Sequence, residues 1–503
     1  MPFEPVFEKI NYCKRKGILT DRIKVECRTD VPAESVERVL NVSAAQCMGG
    51  GTAAEGKLDY GGKITFFICY RTVEGDIRKC ECGAEFTGTI SDASVTEGAR
   101  SRISCRAEKT EASLSGVKLS VTAYLEIKAE ITERVSSSAL SGGENLITET
   151  KEFSYVKGFG ERETVFSAED EYEIPFRAEE VISHRAQATV TAVQCGVGVI
   201  IVDGEVYLSA IFLQSGDKKD IIRENRTVPF RAEIECEDAM PAFSATARVQ
   251  VRSLKTDVGV DEEGGTSTVT SVAALKITGE AFSEEKVSLS EDAFSLSEEV
   301  ELEPEQIECY KECEVRSFSV KTGGRASIEE LPAGSFAYAA CGETAEITES
   351  TYDNGTLKVT GTLSMTGLFC DAENKAFARK AEVPFEITED ITLPEGAEYD
   401  ISVAATRAGI RVASETEADI EAELAFTVYP VEKTSLKCIK DVRATGEKTP
   451  CDCAISVYIP TKGEELWSLA KRLNIAPENL VSTNKELRFP LTGEERIVIY
   501  RCK

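Results

Sequence analysis

From Val117 to Ile131 every second residue is apolar: Val117, Leu119, Val121, Ala123, Leu125, Ile127, Ala129 and Ile131. Successive side chains of a β-strand point to opposite faces, so this run reads as a half-buried antiparallel strand. Related alternation recurs at Leu275 with Ile277, and at Ile420, Ala422, Leu424, Phe426 and Val428. The chain is therefore expected to be mainly β, and the recurrence points to an internal repeat.

Two further markers support the repeat. Asp203-Gly204-Glu205-Val206-Tyr207-Leu208 is similar to Asn354-Gly355-Thr356-Leu357-Lys358-Val359, with Gly61-Gly62-Lys63-Ile64-Thr65-Phe66 as a weaker copy. Each reads as a turn signal opening an alternating strand, with Val206, Leu208 and Ala210, or Ile64, Phe66 and Ile68, on one face. Val228-Pro229-Phe230 and Val383-Pro384-Phe385 follow, and Glu85-Phe86 is the eroded third. Proline cannot donate to a ladder, which suggests an edge strand or a strand start. A prelude is shared as well, Val31–Leu40 against Ile174–Ile182, with a scrambled copy near Leu331-Pro332.

These markers divide the chain into an N-terminal segment (1–29) and three β units at 30–135, 150–285 and 286–432. A linker at 136–149 is expected from Ser136-Ser137-Ser138-Ala139-Leu140-Ser141-Gly142-Gly143, and a second at 433–453.

Residues 454–503 differ in kind. They hold eight Lys and Arg against six Glu, a balance of +2, so the other residues carry −31 of the −29 total. Ile455–Ile459 reads as a strand. Leu466, Leu469, Ala470 and Leu473 fall on one helical face. Pro477 suits the first position of a second helix, and Arg496–Tyr500 reads as a closing strand. The expected order is β-α-α-β.

The stretch GEELWSLAKRLNIAPENLVSTNKEL resembles the LysM signature. That resemblance implies a groove for N-acetylglucosamine-containing glycans between two loops, here Lys462–Leu466 and Asn484–Gly493. The candidate ligand or partner contacts are Lys462, Gly463, Glu464, Glu465, Leu466, Asn484, Leu487 and Arg488. Two departures stand out: Glu464-Glu465 replace the usual Asp-Thr, and Ile499-Tyr500 the usual Ile-Pro. Three acidic β units followed by one LysM-like module also resemble the SPOCS-domain family of spore-forming Firmicutes. This resemblance implies a mother-cell protein at the forespore and spore coat surface. Its partner would be the coat-basement morphogenetic ATPase of the stage IV sporulation protein A type.

Composition restricts the alternatives. The acidic balance disfavours nucleic acid and anionic membranes as partners. No apolar run is long enough for a transmembrane segment, and MPFEPVFEKINYCKRKG lacks the core of a secretory signal, so a cytosolic chain is expected. The 17 cysteines sit mostly in apolar alternating runs and read as small buried hydrophobes, with oxidative cross-linking as the alternative. Cys80/Cys82, Cys309/Cys313 and Cys451/Cys453 are poor zinc knuckles. The acidic run Asp257–Gly265 reads as a solvated hairpin turn rather than a calcium loop. The single histidine, His184, has no nucleophile motif beside it and reads as structural. Trp467 is expected in the core of the C-terminal module, with ligand stacking as the alternative. No catalytic residue, metal or cofactor is expected. The function expected is a non-enzymatic scaffold or adaptor, with a glycan-binding envelope protein as the alternative.

Overall fold

The computed structural model describes residues 2–30, 36–115, 118–216, 220–260, 265–449 and 455–500. The first six strands are β1 (Glu4–Asp30), β2 (Val36–Ala54), β3 (Lys57–Thr72), β4 (Ile77–Ser91), β5 (Arg100–Ser115) and β6 (Lys118–Glu144). They form two three-stranded sheets, β1-β6-β5 and β2-β3-β4. The next set comprises β7 (Ile147–Gly158), β8 (Arg162–Ile174), β9 (Ala178–Cys195), β10 (Val199–Gln214), β11 (Ile221–Glu235), β12 (Ser244–Val260) and β13 (Ser267–Phe294). Here β7 and β8 pair with the two halves of β13, so together they take the place of β1. The third set is β14 (Glu298–Glu312), β15 (Arg316–Ser327), β16 (Phe336–Asp353), β17 (Thr356–Cys370), β18 (Ala376–Asp390), β19 (Glu398–Ser414) and β20 (Glu417–Glu447). β14 and β15 again share one partner, β20.

The same pairing order thus occurs three times: a meander of three strands faces a sheet built from the first and the last two strands. Inward residues of the two sheets interdigitate as a sandwich core. Leu119, Val121, Ala123, Leu125, Ile127, Ala129 and Ile131 of β6 are wholly buried in one core with Ile64, Phe66 and Ile68 of β3. Val117 lies outside the described residues.

Register carries the likeness further. Phe86, Phe230 and Phe385 each stand on the third meander strand, opposite Gly62, Gly204 and Gly361. In each case the Phe ring lies over the glycine. A Cβ at Gly62 would meet the Phe86 ring at 2.6 Å and the Cys47 carbonyl oxygen at 2.8 Å, and Gly204 and Gly361 are crowded in the same way. One residue bulges from the first meander strand beside each glycine. A second bulge recurs on β5, β12 and β19, opposite Leu125, Leu275 and Leu424. Bulges bend strands and raise twist, which lets such long strands curl round a core.

Several sequence expectations need correction. Gly204 and Gly62 are not turn residues; they lie within β10 and β3, and only Asn354-Gly355 makes a turn. Gly361, not Gly355, matches Gly204 in register. Residues 4–29 are no separate segment, because β1 pairs with β6 along its length. The stretch 136–144 is no linker: it continues β6, with Ala139 and Leu140 wholly buried. Small Ser, Ala and Gly side chains suit the crowded ladder there, and composition alone mistakes them for freedom. Residue 286 is no boundary, since β13 runs through it to Phe294. Residues 433–447 continue β20 and bury Leu436, Cys438 and Ile439. The preludes fall at matching junctions: Val36–Leu40 open β2, Ile174–Phe176 lead from β8 into β9, and Leu331-Pro332 from β15 into β16. Residues 31–35 and 261–264, parts of the first prelude and of the acidic run, lie outside the described residues.

The three sandwiches pack as a closed ring. β4 lies against β9, β11 against β16, and β18 returns to β2. Cys69, Ile211 and Leu368, each seven residues after its covered glycine, meet in one apolar cluster with Ile77, Ile221 and Ala376. A second shared cluster joins Ile10 and Tyr12, Val287 and Leu289, and Ile307, Leu436 and Cys438. Ion pairs cross the joints: Arg100–Glu280 at 2.9 Å, Arg102–Glu312 at 2.7 Å, Arg248–Asp400 at 3.2 Å, and Arg223–Glu343, which is buried. No helix of the described residues is long and apolar enough to cross a membrane.

Candidate functional site

The C-terminal module is built from β21 (Ile455–Tyr458), α1 (Leu466–Leu473), α2 (Pro477–Thr483) and β22 (Ile497–Tyr500), with β21 and β22 antiparallel. Leu469, Ala470, Ile475, Leu480, Leu491, Ile497 and Ile499 form its core. α1 ends where Asn474 turns left-handed and returns its N–H to the carbonyls of Ala470 and Lys471. Pro477 starts α2, where its missing N–H costs no helical bond.

The structure brings the two expected loops together. Gly463 donates its N–H to the Leu491 carbonyl at 2.7 Å, and Leu491 donates to the Glu464 carbonyl at 3.0 Å. Gly493 packs so closely on Lys462 that a Cβ there would meet its backbone nitrogen at 3.1 Å. Several expected contact residues are turned inward. The Glu464 carboxylate, 7% exposed, pairs with Arg472 and accepts the Thr461 N–H at 3.1 Å. Asn484 clamps α2 to β22: it accepts the Val498 N–H at 2.8 Å and donates to the Leu480 and Val498 carbonyls. Leu466 and Leu487 are half-buried against the module core rather than standing free as anchors. Lys462, Glu465 and Arg488 remain exposed. Beyond the second loop, the Glu495 carboxyl is held down at about 2, chiefly by the N–H of Thr492.

Two surfaces of the module were not legible as sites. Ile455, Val457 and Ile459 are 61%, 60% and 68% exposed, and lie on the outer side of β21 and its continuation. Ser456 and Tyr458 alternate with them and pair with the buried Ile499 and Ile497. The module's sheet is therefore apolar on both faces and covered on one. The second surface is the joint to the ring. Trp467 donates its indole N–H to Asp292 at 2.7 Å, and Lys471 pairs with the same carboxylate at 2.5 Å. The Phe294 ring meets Trp467 edge-on at 5.3 Å. Asn474 donates to the Leu296 carbonyl at 2.8 Å, and Lys448 bridges Asn474 and the Ser295 carbonyl. Trp467 is thus a joint residue more than a core residue. The stripe Trp467, Lys471, Asn474, spaced i, i+4, i+7, was the available signal.

Elsewhere, His184 of β9 is buried against β4. Burial, and then the charge of Lys79, lower its pKa to about 4, and its Nε2 lies 3.8 Å from Glu81. The described cysteines are free. Among the described residues no three His, Cys, Asp or Glu side chains gather as a metal site; Cys451 and Cys453 lie outside them.

No family model, curated protein or solved structure matches this chain.

Proposed function

We propose that the three sandwiches are diverged copies of one SPOCS-like unit and that the chain is a non-enzymatic scaffold in spore coat assembly. In this reading it works in the mother cell at the forespore surface, and the C-terminal module is a LysM-like head that binds a protein. The coat-basement morphogenetic ATPase of the stage IV sporulation protein A type is the partner the SPOCS resemblance implies. The observation that carries the reading is the module itself. Glu464 and Asn484 of the glycan groove are spent on internal bonds, while β21 offers a bare apolar face. Exposed apolar side chains in a row mark a protein contact more readily than a sugar site. The repeated pairing order supports the copies.

The glycan reading draws on the close approach of the two loops. One experiment separates the two. The purified full chain is titrated with the ATPase and, separately, with chitin oligomers. Binding of the ATPase, weakened by Val457→Asp, is the expected result. Micromolar chitin binding with no ATPase binding would reverse the assignment.

A further inference from the structure

The two sheets of the first sandwich meet at a seam between edge strands β1 and β4, which share no backbone ladder. Two thiols face each other across it. Cys82 on β4 and Cys27 on β1 lie near enough for Cys27 to act on the ionisation of Cys82. The Cys27 thiol donates to the Gly83 carbonyl at 3.3 Å. Cys27 is buried and Cys82 half-buried.

The second sandwich holds a different tie at the same place. Cys82 and Arg226 each stand four residues before the glycine-covering Phe86 and Phe230. Cys27 pairs with Val121, four residues before Leu125, the leucine opposite the β5 bulge. Asp170 pairs with Ser271, four before Leu275, the leucine opposite the β12 bulge. Asp170 and Arg226 form an ion pair of 3.0 Å across the β8–β11 seam. The corresponding residues of the third sandwich, Gly324 and Ala381, have nothing to reach with. One seam position thus carries a charge tie, a thiol pair and no tie in the three sandwiches.

We infer that Cys27 and Cys82 close into a disulfide that clasps the first sandwich, the covalent counterpart of the Asp170–Arg226 pair. A low-molecular-weight disulfide such as oxidised glutathione is a sufficient oxidant. The more accessible Cys82 is reached first: its thiolate attacks one sulfur of the reagent, forms a mixed disulfide and expels one glutathione thiolate. The Cys27 thiolate then attacks the Cys82 sulfur and expels the second. The two protein thiols lose two protons and two electrons, and the reagent's disulfide is reduced to two thiols. Burial, and next the neighbouring Cys27, push the Cys82 thiol up to about 12. Thiolate is therefore scarce at neutral pH, and closure is slow. The pair is a clasp set once under oxidising conditions, not a fast sensor.

The test incubates the full chain with oxidised glutathione at about pH 8, blocks remaining thiols, and digests without reduction. A cross-linked peptide joining Cys27 and Cys82 is expected, about 2 Da lighter than the two reduced peptides together. The oxidised chain should also melt at a higher temperature than the reduced one. Cys27→Ser and Cys82→Ser should each abolish that peptide. The double variant Cys27→Asp/Cys82→Arg, which transplants the second sandwich's tie, should keep the native circular dichroism and form no link. A Cys80–Cys82 link in its place, or free Cys27 and Cys82 after oxidation of the folded chain, would overturn the inference. The wild-type peptide map decides this even if a serine variant folds poorly.

Discussion

Replacing Asp292 by alanine should release the C-terminal module from the ring. This carboxylate accepts the Trp467 indole N–H at 2.7 Å and pairs with Lys471 at 2.5 Å, with its side chain 27% exposed. Truncation leaves the indole donor unpaired beside the Phe294 ring, at a cost of about 1–2 kcal/mol. Loss of the partly screened ion pair adds roughly 0.5–1 kcal/mol. The edge contact with Phe294 and the Asn474 and Lys448 bonds persist. The joint should weaken by about 1.5–3 kcal/mol, or on the order of 10- to 150-fold in the docking equilibrium. Trp467 is the chain's single tryptophan, so its emission reports this joint alone. Asp292→Ala should shift the emission to the red and speed proteolytic release of the C-terminal module. Asp292→Asn keeps an acceptor for the indole and should show less than half the effect. Unchanged emission and unchanged cleavage in Asp292→Ala would refute the account of the joint.

Two further outcomes are expected. Gly361→Ala should cost about 1–3 kcal/mol by overpacking, because a Cβ there would collide with the Glu346 carbonyl and the Phe385 ring. Phe385→Ala alone should cost about 3–5 kcal/mol, and urea unfolding of the double variant should show less than the sum, since the residues are in contact. His184 titrates at about 4 when folded, against an ordinary 6.5. The folded state therefore takes up this proton less readily than the unfolded chain. Its contribution is complete above pH 6.5 and is lost as pH falls toward 4, by up to about 3 kcal/mol. Urea midpoints at pH 7.5 and 4.5 should differ less in His184→Gln than in the wild type; an equal difference would refute the effect.

Local patterning made the strands legible, and distance hid their partners. Leu119–Ile131 announced itself because every inward residue is apolar and one sandwich core takes them all. The continuation from Val135 to Glu144 did not, since Ala139 and Leu140 face neighbouring sandwiches and Ser and Gly fill the intervening positions. β1 was missed because a bulge at Lys16 breaks its alternation and its partner residues stand from 88 (Asp30 with Lys118) to 140 (Glu4 with Glu144) positions away. The Phe markers were sound, but the glycine beneath each ring cannot be told from a turn glycine by composition. Only the cross-strand register separates Gly361 from Gly355. In the module, helix spacing and the proline gave the elements. Glu464 and Asn484 looked like ligands because polar loop residues look alike until their hydrogen bonds are seen.

The long terminal strands explain why the three sandwiches close into a ring instead of trailing like beads. β6, β13 and β20 run for 27, 28 and 31 residues, several times the usual five or six. Roughly half of each covers its own core. The rest, with its partner strand, forms an apolar overhang: Ile10 and Tyr12 with Ala139, Tyr155 with Val287 and Leu289, Ile307 with Leu436 and Cys438. No sandwich buries its overhang alone, because the facing meander is too short to reach it. Three overhangs bury one another, and covalent connection supplies them at a fixed ratio and high local concentration. The acidic surface has the complementary effect, since chains carrying a large like charge repel at long range. Apolar closure is thereby satisfied within one chain. The module docks on Phe294, beside the Ala293 that joins Leu140, Ile439 and Val442 at this end of the overhangs. The module is therefore seated at the end of the ring where residues of all three sandwiches converge.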